Sequence, residues 1–205
     1  MKFSILLLGS VFIAFVALSS QTPMLTGYKI GDKATDFSLK NVDGKKISLA
    51  ENLAAKGFIV IFTCNHCPYA KSYEDRIIAL HQKYAPQGYP VVAINPNELT
   101  VADDDFANMQ KRAKSKHFPY PYLADSDQQT AKTYGATKTP HVFLLKKSGT
   151  DLIVSYIGGI DDDYAHADKV KQRYVEQAVD EVLGKQKVSL SETKTVGCAI
   201  KWKKD

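Results

Sequence analysis

The residues able to do chemistry in this chain are two thiols with an imidazole between them, Cys64-Asn65-His66-Cys67, followed at once by Pro68. A thiolate is a nucleophile and a soft metal ligand, and two thiols at this spacing can close on one another as a disulfide. The environment decides how useful they are. Phe58-Ile59-Val60-Ile61-Phe62, just upstream, is a continuous apolar run of the kind that forms a strand buried on both faces. Downstream, Ala70, Tyr73, Ile77, Leu80 and Tyr84 recur at helical spacing, and Pro68 suits a first helical position because its missing N–H costs nothing there. The pair therefore sits on a strand-to-helix turn. Unpaired backbone N–H groups and the positive end of the helix dipole lower a thiol pKa at such a place.

The elements that must carry this turn can be read in order. Gln21–Tyr28 reads as an unstructured lead-in. Ile30–Leu49 reads as a hairpin turned at Asp43-Gly44, and Leu49–Ala55 as a short helix ending at Gly57. After the helix, which stops before Pro86, Tyr89–Asn95 forms a second buried strand. Asp103-Asp104-Asp105 then open a helix with Lys111, Arg112 and Lys114 in its later turns, the charge order that the helix dipole favours. Tyr120–Leu123 leads to a short helix closing at Gly135, Val142–Leu145 and Leu152–Ile157 make a further hairpin, and Val170–Leu183 is the last helix. Strands alternating with helices predict an α/β fold: a mixed central sheet with helices on both faces and an N-terminal β-hairpin extension, in the element order of a thioredoxin-like fold.

Three segments are expected: a signal peptide over residues 1–20, a domain over 29–184 and a C-terminal tail over 185–205. Lys2 followed by an apolar stretch ending in Ser19-Ser20 predicts the secretory leader, hence a periplasmic or secreted protein with no stable membrane association after cleavage. Cleavage removes Lys2 and takes the net charge from +5 to +4. The lysines are scattered and no nucleic-acid motif is present, so a nucleic-acid partner is not expected. In an oxidising compartment a pair such as Cys64 and Cys67 can cycle, and the odd cysteine, Cys198, is a possible third thiol or a buried small hydrophobe.

Gly31-Asp32-Lys33-Ala34-Thr35-Asp36-Phe37, Asp43-Gly44-Lys45, Leu123-Ala124-Asp125 and Thr139-Pro140-His141-Val142-Phe143-Leu144 resemble the AhpC/TSA (redoxin, peroxiredoxin-like) family of the thioredoxin-like superfamily. The Cys-Asn-His-Cys-Pro-Tyr segment and the tail Thr195–Trp202 resemble an exported branch of it. The resemblance implies one of two chemistries. Peroxidases of the family carry Pro-x-x-x-Thr-x-x-Cys and an arginine. Here Val60 and Cys64, or Gly57 and Ile61, stand where proline and threonine belong, and Arg76, Arg112 and Arg173 lie away from the expected strand. The thioredoxin-type site is better matched: Cys64 as nucleophile and the more exposed thiol, Cys67 as resolving thiol, and Pro140 as the proline beside the disulfide. Thr139 would offer main-chain groups to a partner's chain. Phe58 replaces the buried acid of thioredoxins.

These readings make the chain an exported thiol–disulfide oxidoreductase. It would exchange a Cys64–Cys67 disulfide with protein thiols and with a redox donor or acceptor, and nothing calls for an organic cofactor. His66 would stabilise the Cys64 thiolate and raise the potential above thioredoxin's value of about −270 mV. The alternatives are a copper- or zinc-binding metallochaperone using Cys64, Cys67 and His141, and a peroxidase with a degenerate site. Trp202 is expected to anchor the tail by packing, and Asp161-Asp162-Asp163 with His166 to form a solvated loop.

Overall fold

The computed structural model describes residues 27–101 and 103–204, so the leader predicted over 1–20 lies outside the described residues. Strands β1 (Lys33–Ala34), β2 (Ser38–Asn41), β3 (Lys46–Ser48) and β4 (Gly57–Phe62) precede helix α1 (Pro68–Tyr84). Then come β5 (Val91–Asn95), α2 (Phe106–Ser115), β6 (Tyr122–Ala124), α3 (Gln129–Tyr134) and β7 (Lys138–Thr139). The hairpin β8 (His141–Ser148) and β9 (Asp151–Gly158), helix α4 (Tyr174–Leu183) and a last strand β10 (Cys198–Ala199) complete the chain.

Eight strands form one mixed sheet in the order β1-β9-β8-β4-β5-β6-β2-β3. β4 lies at its centre, parallel to β5 and antiparallel to β8. Every residue of β4 is buried, as a strand covered on both sides requires. Its side chains alternate between two cores. Ile59 and Ile61 pack with Tyr73, Ile77 and Leu80 of α1, Met109 of α2 and Val175, Ala178 and Val179 of α4. Phe58, Val60 and Phe62 pack on the opposite face with Leu49, Ala131 and Tyr134 of α3, Phe143 and, from the tail, Ile200. This is the thioredoxin-like α/β architecture, with the β2–β3 hairpin added beyond β6.

Four expectations need correction. Leu49–Ala55 is a pair of turns, not a helix. The Asp36 carboxylate accepts the Leu49 and Ala50 N–H groups and the Ser48 hydroxyl, and Asn52 Oδ1 accepts the Ala55 N–H, which stabilises turns instead. Helix α4 starts at Tyr174, four residues later than periodicity suggests, after a 3₁₀ turn at Ala167–Lys169. Tyr28 belongs to the fold: its N–H donates to Tyr134 O at 3.1 Å and its ring packs edge-on to that of Tyr134. Asp161 is buried, accepting from Tyr73 Oη at 2.9 Å and from Arg76 at 2.6 Å, so this loop is pinned onto α1 rather than solvated.

Candidate active site

The turn between β4 and α1 carries the thiols where the strand and helix signals put them. Thr63 N–H still donates to Ile94 O at 2.8 Å, keeping the chain in register with β5 until the turn begins. Cys67 occupies the N-cap position of α1 with extended backbone angles, and Pro68 is the first helical residue. A cysteine is a poor cap, and no side chain fills this one. The nearby His66 and Cys67 backbone N–H groups favour the Cys64 thiolate.

What holds this turn is a residue that sequence reasoning passed over. Asp104 is completely buried. Its Oδ1 accepts the backbone N–H groups of Asn65 at 2.6 Å and His66 at 3.2 Å. Its Oδ2 accepts from Asn97 Nδ2 at 2.7 Å and lies 3.1 Å from His66 Nδ1. Asn65 adds two further ties, donating to Asp103 O at 2.7 Å and accepting from the Tyr122 hydroxyl at 3.0 Å. Of the acidic triplet, Asp105 caps α2, its side chain accepting Asn108 N–H at 2.8 Å. One cap satisfies a helix, so the neighbouring carboxylates were the signal that a second task exists.

The electrostatic balance at Cys64 differs from the expectation. Burial pushes its thiol pKa up, and the Asp104 carboxylate pushes it the same way. The Thr139 hydroxyl, 3.1 Å from Cys64 Sγ, and the two backbone N–H groups oppose this without overcoming it. Cys64 is only 3 % exposed, not the accessible thiol expected from its place at the helix start.

The disulfide is also different. Cys67 is joined to Cys198, with their Cα atoms 6.0 Å apart across 131 residues of sequence, and Cys64 keeps a free thiol. The reason is the tail. β10 lies antiparallel to β7, with Cys198 opposite Thr139 and Ala199 opposite Lys138. Cys198 is therefore a disulfide partner and not simply a small buried hydrophobe. Trp202, at 41 % exposed, does not anchor the tail; Ile200, at 4 %, does. The Thr139–Pro140 bond is cis, and Thr139 O lies 3.3 Å from Cys67 Sγ, so Thr139 touches both sulfurs of the turn.

His141 faces elsewhere. It is buried against Phe143, and its Nδ1 accepts the Thr137 N–H at 3.4 Å. The set Cys64, Cys67 and His141 is thus not assembled. Among the described residues, the donors that do converge are Cys64, His66 and Asp104, within 4.8 Å of one another, and both Asp104 oxygens are already hydrogen-bonded. Burial, with a contribution from Lys138, lowers the His141 pKa to about 4. An unfolded histidine titrates near 6.5, so the unfolded chain binds the extra proton first as pH falls. The stability advantage of wild type over His141→Gln should therefore shrink by up to about 3 kcal/mol between pH 7 and pH 4. Denaturant melts of both proteins across that range check this. Comparing the two proteins removes the opposing contribution of buried Asp125, whose pKa is raised to about 6.

The AhpC/TSA family model matches residues 30–151, from just before β1 to the first residue of β9. The chain belongs to the AhpC/TSA family. A thiol-disulfide oxidoreductase ResA from Halalkalibacterium halodurans is 26 % identical over 164 residues, covering 79 % of this chain and 88 % of that one. Among solved structures, an uncharacterized conserved protein from Geobacillus kaustophilus superposes with a TM-score of 0.79 at 33 % identity, covering 86 % of this chain and 94 % of the other. A putative thiol:disulfide interchange protein DsbE from Chlorobium tepidum shares the fold, with a TM-score of 0.58 at 24 % identity over 76 % of this chain and 99 % of that one. Within the AhpC/TSA frame, the arginines that a peroxide site would need are engaged elsewhere. Arg76 binds Asp161, Arg112 binds Glu74 and Arg173 reaches Glu176.

Proposed function

We propose that this chain is a thiol–disulfide oxidoreductase that acts on protein thiols and disulfides outside the cytoplasm, with Cys64 as its exchanging thiol. The observation that carries the reading is the convergence of three sulfurs on one turn: a free thiol at Cys64, and beside it a disulfide that links Cys67 to Cys198. A thiolate attacks a disulfide sulfur in line and leaves a mixed disulfide, which a neighbouring thiol then resolves. The Thr139 hydroxyl and the nearby backbone N–H groups of His66 and Cys67 favour the Cys64 thiolate against the burial and the Asp104 charge that raise its pKa. Cys67, at the helix start, is placed to resolve. Asp104 orients His66 and fixes the turn, a positioning role. The names of the AhpC/TSA relatives support the same chemistry. The apolar leader with Lys2 supports export.

Cys67→Ser should strand Cys64 in a mixed disulfide with its partner, seen as a slower, reductant-sensitive band in extracts from cells expressing the tagged chain. Mass spectrometry of that band identifies the partner. If Cys67→Ser/Cys64→Ser gives the same band, Cys64 is not the exchanging thiol.

A further inference from the structure

β10 lies where an extended partner would lie. It runs antiparallel to β7 with Cys198 opposite Thr139, the residue whose hydroxyl holds Cys64 Sγ and whose carbonyl touches Cys67 Sγ. The approach is close enough to demand glycine: a Cβ on Gly197 would collide with Thr139 O and C and crowd Pro140 N. The tail on either side of Cys198 is held by other parts of the molecule. Lys138 Nζ donates to Thr195 O at 3.2 Å before it. After it, Lys201 N–H donates to Asn97 Oδ1 at 2.8 Å, Lys201 O accepts from Gln128 Nε2 at 2.9 Å, and Lys203 N–H donates to Gln128 Oε1 at 2.8 Å. Breaking the Cys67–Cys198 bond would thus free the sulfur without removing it from the neighbourhood, and a tethered thiol competes at high effective concentration.

We propose that Cys198 is a third catalytic thiol and the tail strand an internal partner: Cys64 attacks Cys67 within the Cys67–Cys198 disulfide, and the reverse step closes the tail over the site again. This rests on the reading of Cys64 as the exchanging thiol. One S–S bond forms as another breaks. The Cys64 proton leaves with the formation of the Cys64–Cys67 bond, the Cys198 thiolate takes up a proton, and no electrons enter or leave the molecule. Two oxidised isomers result. With Cys67–Cys198 joined, β7 is covered and Cys64 is enclosed, so outside sulfurs are kept away. With Cys64–Cys67 joined, the tail strand is held on β7 by hydrogen bonds alone, and a partner's extended chain can displace it and bring a thiol to attack Cys64.

The test uses the full chain oxidised with glutathione disulfide, quenched in acid, alkylated and digested without reduction, so that mass spectrometry reads both the pairing and the free thiol. Wild type should show Cys67–Cys198 with labelled Cys64 as the major isomer and Cys64–Cys67 with labelled Cys198 as the minor one. Cys198→Ser should hold only Cys64–Cys67. Its first-turnover oxidation of a dithiol peptide should be about tenfold or more faster than wild type, because the open isomer is no longer a minor fraction. Gly197→Ala, which keeps every sulfur but pushes the tail off Thr139, should move both readouts in the same direction. Wild type labelled only at Cys198, or equal peptide rates for all three proteins, overturns the proposal alone. A Cys198→Ser protein that forms Cys64–Cys67 yet never oxidises the peptide overturns the exchange reading beneath it as well.

Discussion

Cys64→Ser should lower the rate of disulfide exchange at least about 10³-fold, equivalent to about 4 kcal/mol of activation free energy. A hydroxyl at this position can still bond the Thr139 hydroxyl that now lies 3.1 Å from the sulfur, so the fold should persist. What is lost is the nucleophile itself, because a serine oxygen is far less ionised than a thiol near neutral pH and cannot form a disulfide. Insulin reduction driven by dithiothreitol measures this directly. Cys67→Ser is the informative comparison, since it keeps the attacking sulfur and removes the resolving one. It should react once with a disulfide substrate and then stop, giving a burst without turnover. Exchange by Cys64→Ser above a tenth of the wild-type rate would count against the assignment of Cys64.

The second large effect belongs to Asp104→Ala. This substitution leaves the backbone N–H groups of Asn65 and His66, His66 Nδ1 and Asn97 Nδ2 without their common acceptor, and of these groups the Asn65 and Asn97 donors are buried while the His66 ring is partly exposed. Stranding such donors should destabilise the protein by about 3–5 kcal/mol, a fall in Tm of about 10 °C for a chain of this size. Exchange should fall too, because the same bonds set the turn that carries Cys64. Asp104→Asn keeps the shape and one acceptor oxygen, and should lose clearly less. Calorimetry of the two variants checks the order. If Asp104→Ala melts within a degree or two of wild type, the carboxylate is not what holds the turn.

Where the sequence reading succeeded, its signals were local. An apolar run followed by helical spacing and a first-turn proline located Cys64 and Cys67 at the strand–helix junction, and β4, α1 and the β8–β9 hairpin lie within a few residues of their expected places. It failed where side chains redirect the backbone or meet over long distances. Asp36 reaches from residue 36 to residues 48–50 and makes turns out of an expected helix. Asp104 stands in the sequence as one of three acidic residues before α2, and its bonds to the thiol turn cross 38 and 39 positions of sequence.

By itself, then, the order of residues determined that this chain would build a thioredoxin-like sheet and hold two cysteines at a helix start. Strand periodicity, helical spacing and capping act over a few residues and are written in neighbours. Which two of the three cysteines join was decided only by the tertiary structure. Burial of Ile200 against one face of the sheet and pairing of β10 with β7 bring the Cα of Cys198 to 6.0 Å from that of Cys67. A disulfide needs that proximity, and no spacing along 131 residues can specify it.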